Sequence, residues 1–354
     1  MLGKLKKLSF RTWLTIVTFI LLCLVVFFGR HEILRAVALL GRVDLWILAL
    51  LIPVQLFSYY ATGGMIFSYL RSKGNLKETS HVAMTRMALE LNFVNHILPS
   101  GGAAGFSYLA WVLSRHGVTP GRATIAQIIR FALTFISYIG LLIVSVIIVA
   151  LDTGVSRFVL LLSGVLVAAV IFGLLFLTYV VGSESRMQGV ARWITLTVNR
   201  IVRKVTFGRV SKVLKIAMLQ KFFQELHDDY RQLRTEKRIL IRPFIWAILA
   251  NIADVALLWI TFWSLGVIVN PAVLLIGFGV SSIVAAISIT PGGAGVYEAV
   301  MIAFLASAGV QPDVAIAGTL LARVTLLLGT IIFGYVFYQA TLIKYGKKTD
   351  EFKR

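Results

Sequence analysis

The stretch ISITPGGAGVYEA, residues 287–299, places a proline, three glycines and a glutamate inside an otherwise hydrophobic segment. Proline lacks the backbone N–H that a helix needs, and glycine lets a chain turn sharply without a Cβ clash. At membrane depth, such an interrupted backbone is tolerated only where it is buried in protein or lines a water-filled cavity. The stretch therefore predicts a broken membrane-embedded segment that builds a polar site.

The composition around this stretch is that of an integral membrane protein. The 354 residues are 58% hydrophobic and 14% charged, and the mean hydropathy is +0.88. A bilayer span takes about 20 apolar residues. The pattern predicts an all-α polytopic fold with full spans near 10–28, 45–70, 121–150, 155–182, 243–269 and 313–343. No signal-peptide cleavage site follows the first run, so we interpret it as a retained span.

The net charge of +20 is distributed asymmetrically. In this segmentation, 28 of the 35 lysines and arginines fall on one side, in residues 1–11, 71–77, 115–122, 183–242 and 344–354. This is the positive-inside pattern of a multi-pass protein with both termini cytoplasmic, and it explains the charge without nucleic acid. We expect the membrane to be a bacterial inner membrane. The basic, amphipathic segment 183–242 predicts surface helices on an anionic leaflet or, equally, a plain linker.

The opening motif recurs in the first half of the chain. LPSGGAAGFSYLAWVLSRHGVTP at 98–120 aligns with TPGGAGVYEAVMIAFLASAGVQP at 290–312 at a constant offset of 192 residues. The equivalent positions include Pro99 and Pro291, Gly101 and Gly293 and, one step later, Arg130 and Arg323. The pattern predicts a single membrane domain, 1–354, that contains a first repeat at 45–150, a linking span at 155–182 and a second repeat at 243–343.

The direction of the repeats follows from counting spans. With a cytoplasmic N-terminus, the first repeat begins outside and the second begins inside, so the two have inverted topology, as in many secondary transporters. Each broken segment is short: 101–117 gives a helix of about 25 Å, less than the roughly 30 Å of a hydrocarbon core. We therefore expect two re-entrant hairpins with Pro/Gly tips. The alternative is that both helices of each broken segment span the membrane fully. This leaves the orientation of the following spans unchanged.

Six charged side chains fall within the embedded segments. A charge costs roughly 2.5–3.5 kcal/mol at the centre of an inserted helix, so each is expected to pair or to face a cavity. Arg86 and Glu90 have the i, i+4 spacing of an ion pair. Asn95 and His96 follow as supporting polar residues, with His96 more typical of a hydrogen-bonded helix residue than of a metal ligand. Asp254 is expected to make a helix–helix hydrogen bond.

Arg130 and Arg323 are the candidate anion-binding residues. A guanidinium matches a phosphate bidentately, and the helix N-termini after the glycines add N–H donors. The alternative is that each arginine clamps its own hairpin. Glu298 lies in the first turn after PGGAG, where it can cap the helix or act as an ion-pair gate.

Several classes of protein are excluded by what the sequence lacks. It contains no Walker loop and no His, Cys or carboxylate cluster with metal-ligand spacing. PGGAG has no βαβ context, so it is not a dinucleotide fingerprint. We therefore expect neither an enzyme nor a cofactor or metal requirement.

The motif TPGGAGVYEA, followed by Gly-Val-x-Pro and an Arg-containing helix, resembles the lysylphosphatidylglycerol synthase transmembrane, or flippase-like, family. That family includes the flippase half of the multiple peptide resistance factor. We call each Pro/Gly motif, together with the helices that follow it, an arm. The resemblance implies roles in substrate binding for Pro291, Gly292, Gly293, Gly295, Glu298 and Arg323 in the second arm, and for Pro99, Gly101 and Arg130 in the first. Gly102, next to Gly101, is a further candidate substrate-binding residue. The chain lacks the Gly-Glu pair that relatives often carry after the first proline. It also lacks the soluble aminoacyl-transferase domain, so synthase activity is not expected.

Together these features predict translocation of a lipid between leaflets. The expected partners are anionic or phosphate-headed lipids, such as an aminoacylated phospholipid or a polyprenyl-phosphate-linked lipid. The alternatives are a secondary transporter of a small soluble solute and a non-catalytic membrane subunit of a lipid-modifying or glycosyltransfer system. Glycine and alanine in the spans permit close packing within one chain or between copies, so a homo-oligomer is an open alternative.

Overall fold

The computed structural model describes residues 41, 43–97, 103–151, 161, 164–168, 171–173, 175–176, 179, 182–205, 237–287 and 295–345. Throughout these ranges the regular structure is helical and no strand is found. The prediction of an all-α fold is therefore confirmed. The predicted first span, 10–28, lies outside the described residues.

Ten α-helices are labelled in chain order. The first half of the chain contains α1 (Leu45–Ala49), α2 (Leu51–Ser72), α3 (His81–Ile97), α4 (Ala103–Ser114) and α5 (Pro120–Leu151). Then follow α6 (Glu184–Val205) and a 3₁₀ turn, Lys237–Leu240. The second half contains α7 (Ile241–Ser264), α8 (Pro271–Ile287), α9 (Val296–Ser307) and α10 (Pro312–Tyr345).

Among the described residues, four helical stretches are long and apolar enough to cross a bilayer: Leu45–Ser72, Gly121–Leu151, Arg238–Ser264 and Pro312–Tyr345. They match four predicted spans and establish a multi-pass membrane protein. The predicted span 243–269 was too long at its end. The helix stops at Ser264 because Gly266 adopts a positive φ of 77°, and the Val267 amide bonds back to the Phe262 carbonyl at 3.1 Å.

The shorter helices pack between the long ones. Helix α3 contacts α2 and α10, α4 contacts α3 and α5, and α8 contacts both α9 and α5. Two contacts are very close. Gly334 of α10 faces Phe93 of α3, and Gly279 of α8 faces Tyr138 of α5, and in each pair a Cβ on the glycine would collide with the aromatic side chain. Glycine thus lets each short helix approach a long helix of the other half.

Helix ends in the two halves are built alike. Helices α2 and α7 are each followed by a glycine of positive φ, Gly74 (84°) and Gly266 (77°), and α4 and α9 by Gly117 (75°) and Gly309 (92°). After each glycine, the next amide donates to the carbonyl five residues earlier, at 2.9–3.1 Å. This is the Schellman termination, for which glycine is the favoured residue. Helices α2 to α5 have 22, 17, 12 and 32 residues, and α7 to α10 have 24, 17, 12 and 34.

The chain divides into two compact units. One comprises residues up to Leu166 and from Pro243 onward, and it holds every embedded charge discussed below. The other is Val167–Arg242, in which α6 exposes Trp193 and Leu196 beside basic residues. The described residues between 161 and 179 are helical. Residues 206–236 lie outside the described part of the chain.

Candidate functional site

Of the site residues predicted in the two Pro/Gly motifs, six lie outside the described residues: Pro99, Gly101, Gly102, Pro291, Gly292 and Gly293. Gly295 and the charged and polar candidates are described. The predicted roles of the motif tips therefore stay predictions, and the geometry concerns the helices that follow them.

At the start of α9, Glu298 performs two functions at once. Its Oε2 accepts a hydrogen bond from the Gly295 amide at 2.6 Å, which caps the helix. Its Oε1 lies 2.9 Å from Arg323 Nε on α10, a charge contact without hydrogen-bond geometry. The guanidinium also lies over the Tyr297 ring, 5.0 Å from its centroid. Glu298 is 4% exposed, so the charge of Arg323 is neutralised inside the protein.

Arg130 occupies the corresponding place on α5 and has a different environment. Its half-buried side chain forms no ion pair with any acidic residue of the described ranges, and its Nε is buried without a hydrogen-bond partner. The guanidinium lies over the neighbouring Phe131 ring, 4.2 Å from the centroid. At the offset of 192 residues that aligns the two motifs, the position of Glu298 on α9 corresponds to Phe106 on α4. The first arm therefore has the cation without the carboxylate.

Two amide side chains lie next to Gly105 and complete this region. The Asn95 side chain of α3 occupies the space that a Cβ on Gly105 would fill. Gln127 Nε2 donates to the Gly105 carbonyl at 3.5 Å. Asn95 Oδ1 and Gln127 Oε1 are buried acceptors without a donor. We call Asn95, Gln127 and Arg130 the first-arm cluster; it offers one cationic donor and two unused acceptors.

Arg86 and Glu90 form a closed polar network. Arg86 Nε donates to Glu90 Oε1 at 2.8 Å, and its Nη2 donates to the Thr341 hydroxyl at 2.7 Å and to the Phe337 carbonyl at 3.3 Å. Thr341 donates in turn to Glu90 Oε1, and the Tyr108 hydroxyl donates to Oε2 at 2.7 Å. Glu90 is fully buried. Both carboxylate oxygens of Glu90 are hydrogen-bonded, so this network ties α3, α4 and α10 together.

Asp254 belongs to a polar layer in the middle of the long helices. Ser58 of α2 donates to its Oδ1 at 2.6 Å. One turn earlier, Asn251 Nδ2 donates to the Thr134 carbonyl at 3.0 Å and to the Ser137 hydroxyl at 2.5 Å on α5. The helix–helix hydrogen bond expected of Asp254 is thus present, and its partner is a neutral hydroxyl.

His96 is an exposed residue in the last turn of α3. Its Nδ1 donates to the Asn92 carbonyl at 2.8 Å, and Arg323 lies within electrostatic range of its ring. Within the described ranges, no group of three His, Cys, Asp or Glu side chains could hold a metal ion. His96 therefore serves as a hydrogen-bonded helix residue in this structure.

Sequence reasoning missed several polar residues that the structure brings to these charges. They are Ser58, which bonds Asp254, Tyr108 and Thr341, which bond Glu90, and Gln127, which lies one turn before Arg130 and bonds the Gly105 carbonyl. Gln127 could have been found, because it lies three residues before Arg130 and so shares its helix face. The hydroxyl-bearing residues carry no such signal, since serine and threonine are common in apolar helices.

Comparison with known proteins agrees with the motif. The family described as "Lysylphosphatidylglycerol synthase TM region" matches residues 13–334. A UPF0104 membrane protein of Methanothermobacter thermautotrophicus is 25% identical over 233 residues, 65% of this chain and 67% of the relative. Another, from Methanocaldococcus jannaschii, is 25% identical over 255 residues, 69% of this chain and 70% of the relative. The predicted resemblance is confirmed, and the chain belongs to the lysylphosphatidylglycerol synthase TM region family.

Proposed function

We propose that this protein moves phosphate-headed lipids between the two leaflets of a membrane, without covalent chemistry and without a metal or cofactor. The observation that carries the proposal is the contrast between the two arms. Arg323 is neutralised by Glu298, whereas Arg130 has no acidic partner among the described residues. A membrane-embedded cation of this kind offers a place for an anion from outside the protein.

The energetics favour an anionic ligand at Arg130. A charged residue at membrane depth costs roughly 2.5–3.5 kcal/mol even on the most lenient insertion scale. A phosphate would offset that cost by charge-assisted hydrogen bonds, worth about 1.5–3 kcal/mol. The two unused acceptors of the first-arm cluster, on Asn95 and Gln127, suit a head group that also carries hydroxyl or ammonium donors. Phosphatidylglycerol and aminoacylated phospholipids have such head groups.

The surroundings of Arg130 favour a lipid over a soluble anion. The residues that follow on α5 expose apolar side chains: Phe131 is 36% exposed, Phe135 53% and Ile136 42%. In a bilayer this surface faces acyl chains. A lipid phosphate can therefore reach the half-buried guanidinium from the side while its tails stay against the apolar surface of α5.

The paired construction of the two halves supports the inverted-repeat architecture that such a mechanism uses. Matching helix lengths and matching Schellman ends recur at an offset close to 192 residues. The contact of α3 with α10 is mirrored by the contact of α8 with α5. Helices α4 and α9, with 12 residues each, extend about 18 Å. That length favours re-entrant hairpins over full spans.

In the proposed cycle, Arg130 receives the phosphate, and the Glu298–Arg323 pair acts as a gate in the second arm. Exchange of Arg323 between Glu298 and the phosphate would let the head group pass from one arm to the other. The tails would stay in lipid throughout. The charge distribution along the sequence supports cytoplasmic termini, and lipids of the host membrane are the proposed partners.

The test is translocation of head-labelled phosphatidylglycerol in liposomes that contain the purified protein. We expect movement with the wild type, a loss of at least about tenfold with Arg130→Gln, in line with 1.4 kcal/mol per decade, and no loss with Arg122→Gln. Arg122 is the matched control, because it is an exposed arginine of the same helix that bonds Asn75. Movement by R130Q at the wild-type rate would contradict the role of Arg130.

A second measurement distinguishes the proposed function from the two alternative functions. The same liposomes are tested for uptake of a small soluble anion such as inorganic phosphate. Uptake without lipid movement would replace the proposal with a secondary transporter of a solute. Failure of a folded protein to move either one would favour a non-catalytic membrane subunit.

A further inference from the structure

Asp254 lies near the middle of the 24-residue helix α7 and is not used in the transport cycle described above. Its half-buried carboxylate accepts one hydrogen bond from a side chain, from Ser58. Asp254 forms no ion pair with any lysine, arginine or histidine of the described ranges. The two other embedded carboxylates, Glu90 and Glu298, each have an arginine partner. Asp254 is thus the carboxylate of the described helices whose charge nothing compensates at membrane depth.

The surroundings of this carboxylate are polar but nearly neutral. Its electrostatic influence reaches the hydroxyls of Tyr59 on α2 and Tyr297 on α9. The Tyr59 hydroxyl is already engaged with Gln55 and with Thr330 of α10. The titratable and charged side chains on the helices around α7 are Tyr59, Tyr60, Tyr69 and Arg71 (α2), Arg122, Arg130 and Tyr138 (α5), Tyr297 and Glu298 (α9) and Asp313, Arg323, Tyr335, Tyr338, Lys344 and Tyr345 (α10), and Asp44 directly precedes α1.

Two opposing effects act on the Asp254 carboxyl group. An isolated negative charge in a low-dielectric environment is unfavourable, which promotes uptake of a proton. The Ser58 hydroxyl stabilises the ionised form by donating to it. A carboxyl group held between these effects can exist in both protonation states, and carboxyl groups in such positions form the proton relays of membrane transporters.

We propose that Asp254 is a proton-binding site and that its protonation couples lipid movement to a pH gradient. The inference rests on the proposed function for its cargo, but the proton site itself stands on the geometry of Asp254. The carboxylate gains a proton from water on one side of the membrane and releases it to water on the other. No bond other than O–H forms or breaks.

A proton fits this site better than a metal cation. A sodium ion needs several oxygen ligands at once, whereas the described residues supply only Asp254 and Ser58 in direct contact. The groups of the described chain form no metal-binding cluster. A proton requires only the one carboxyl group.

Asp254 also acts electrostatically on the second arm. Tyr297 lies within electrostatic reach of Asp254, and the same ring lies under the guanidinium of Arg323. The next residue, Glu298, pairs with that guanidinium. Loss of the negative charge at Asp254 therefore changes the potential at the ring that supports the gate.

The first test looks for the proton directly by infrared titration of the carboxyl C=O band in lipid vesicles. The variants are Asp254→Asn, which copies the protonated form, and Asp313→Asn, an exposed aspartate in the first turn of α10, as the matched control. We expect a titrating carboxylic-acid band in the wild type and D313N that is absent in D254N. An identical titrating band in D254N would overturn the assignment.

The second test measures coupling with head-labelled phosphatidylglycerol. A pH gradient should shift the label toward one leaflet at least about twofold in the wild type and D313N, whereas D254N should move lipid without responding to the gradient. Lipid movement by the wild type that ignores the pH gradient, or follows a sodium gradient instead, would refute coupling and leave the proposed function intact. Absence of any lipid movement would refute the proposed function, and the infrared band would then decide the proton site alone.

Discussion

Replacing Glu298 with glutamine separates its two roles, because glutamine keeps an oxygen for the Gly295 amide but loses the charge that faces Arg323. At the observed 2.9 Å, two unit charges attract by about 6 kcal/mol at an effective dielectric constant of about 20. The Arg323 side chain is 29% exposed, and screening at an exposed charge reduces this figure. We expect E298Q to lower the free energy of unfolding by about 2 kcal/mol, less than the 3–5 kcal/mol of a fully buried pair.

The assay is SDS-induced unfolding of the purified protein in detergent micelles, followed by helical circular dichroism. Three further variants complete the experiment: Arg323→Gln, the double variant, and Glu298→Ala. The double variant should recover part of the loss, because it leaves no unpaired charge behind. E298A should cost about 0.5–2 kcal/mol more than E298Q, because it also removes the helix cap.

Two results would refute this reasoning. An E298Q protein that unfolds within about 0.5 kcal/mol of the wild type would mean that the ion pair contributes nothing measurable, as with many surface pairs. Strict additivity of E298Q and R323Q in the double variant would mean that the two side chains do not interact.

Three further substitutions have specific expected effects on stability or transport. Gly279→Ala should destabilise by about 1–3 kcal/mol in the same SDS assay, since its Cβ would press on Tyr138, whereas Gly140→Ala, in open space, should be neutral; equal effects would contradict the close contact. Gln127→Leu should leave the unfolding midpoint nearly unchanged and slow phosphatidylglycerol movement several-fold, and unchanged transport would remove Gln127 from the site. Partial burial lowers the pKa of His116, so the folded state favours the neutral ring. The folded state should therefore lose stability as the pH falls below about 6.5, the ordinary pKa of histidine, because the unfolded state then binds the proton more readily. His116→Gln should flatten this pH dependence of the unfolding midpoint.

Much of the helix layout could be predicted because proline and glycine mark the ends. The predicted spans 121–150 and 313–343 agree with α5 (Pro120–Leu151) and α10 (Pro312–Tyr345) to within one or two residues at each end. Local charge pairing was also readable, since Arg86 and Glu90 are one turn apart. These features depend on residues close in sequence, whose geometry the helix itself fixes.

Contacts between distant helices were not readable in this way. Ser58 and Asp254 are 196 residues apart, and Arg86 and Thr341 are 255 apart. A helix that is apolar on nearly all sides has no clear polar face, so its sequence does not fix which side meets which neighbour. That Arg130 has no acidic partner among the described residues was equally hidden, because it depends on which side chains pack around α5.

The close contacts at Gly279 and Gly334 restrict how this molecule can move. In each contact an aromatic side chain packs directly against the backbone of a glycine. Each contact joins a short helix of one half to a long helix of the other. Sliding either pair by one turn would drive a side chain into the ring. These contacts add to the hydrogen bonds that join α2 to α7 and α10 and that join α5 to α7, so the two halves are held together at several points and neither short helix can slide freely along its long neighbour.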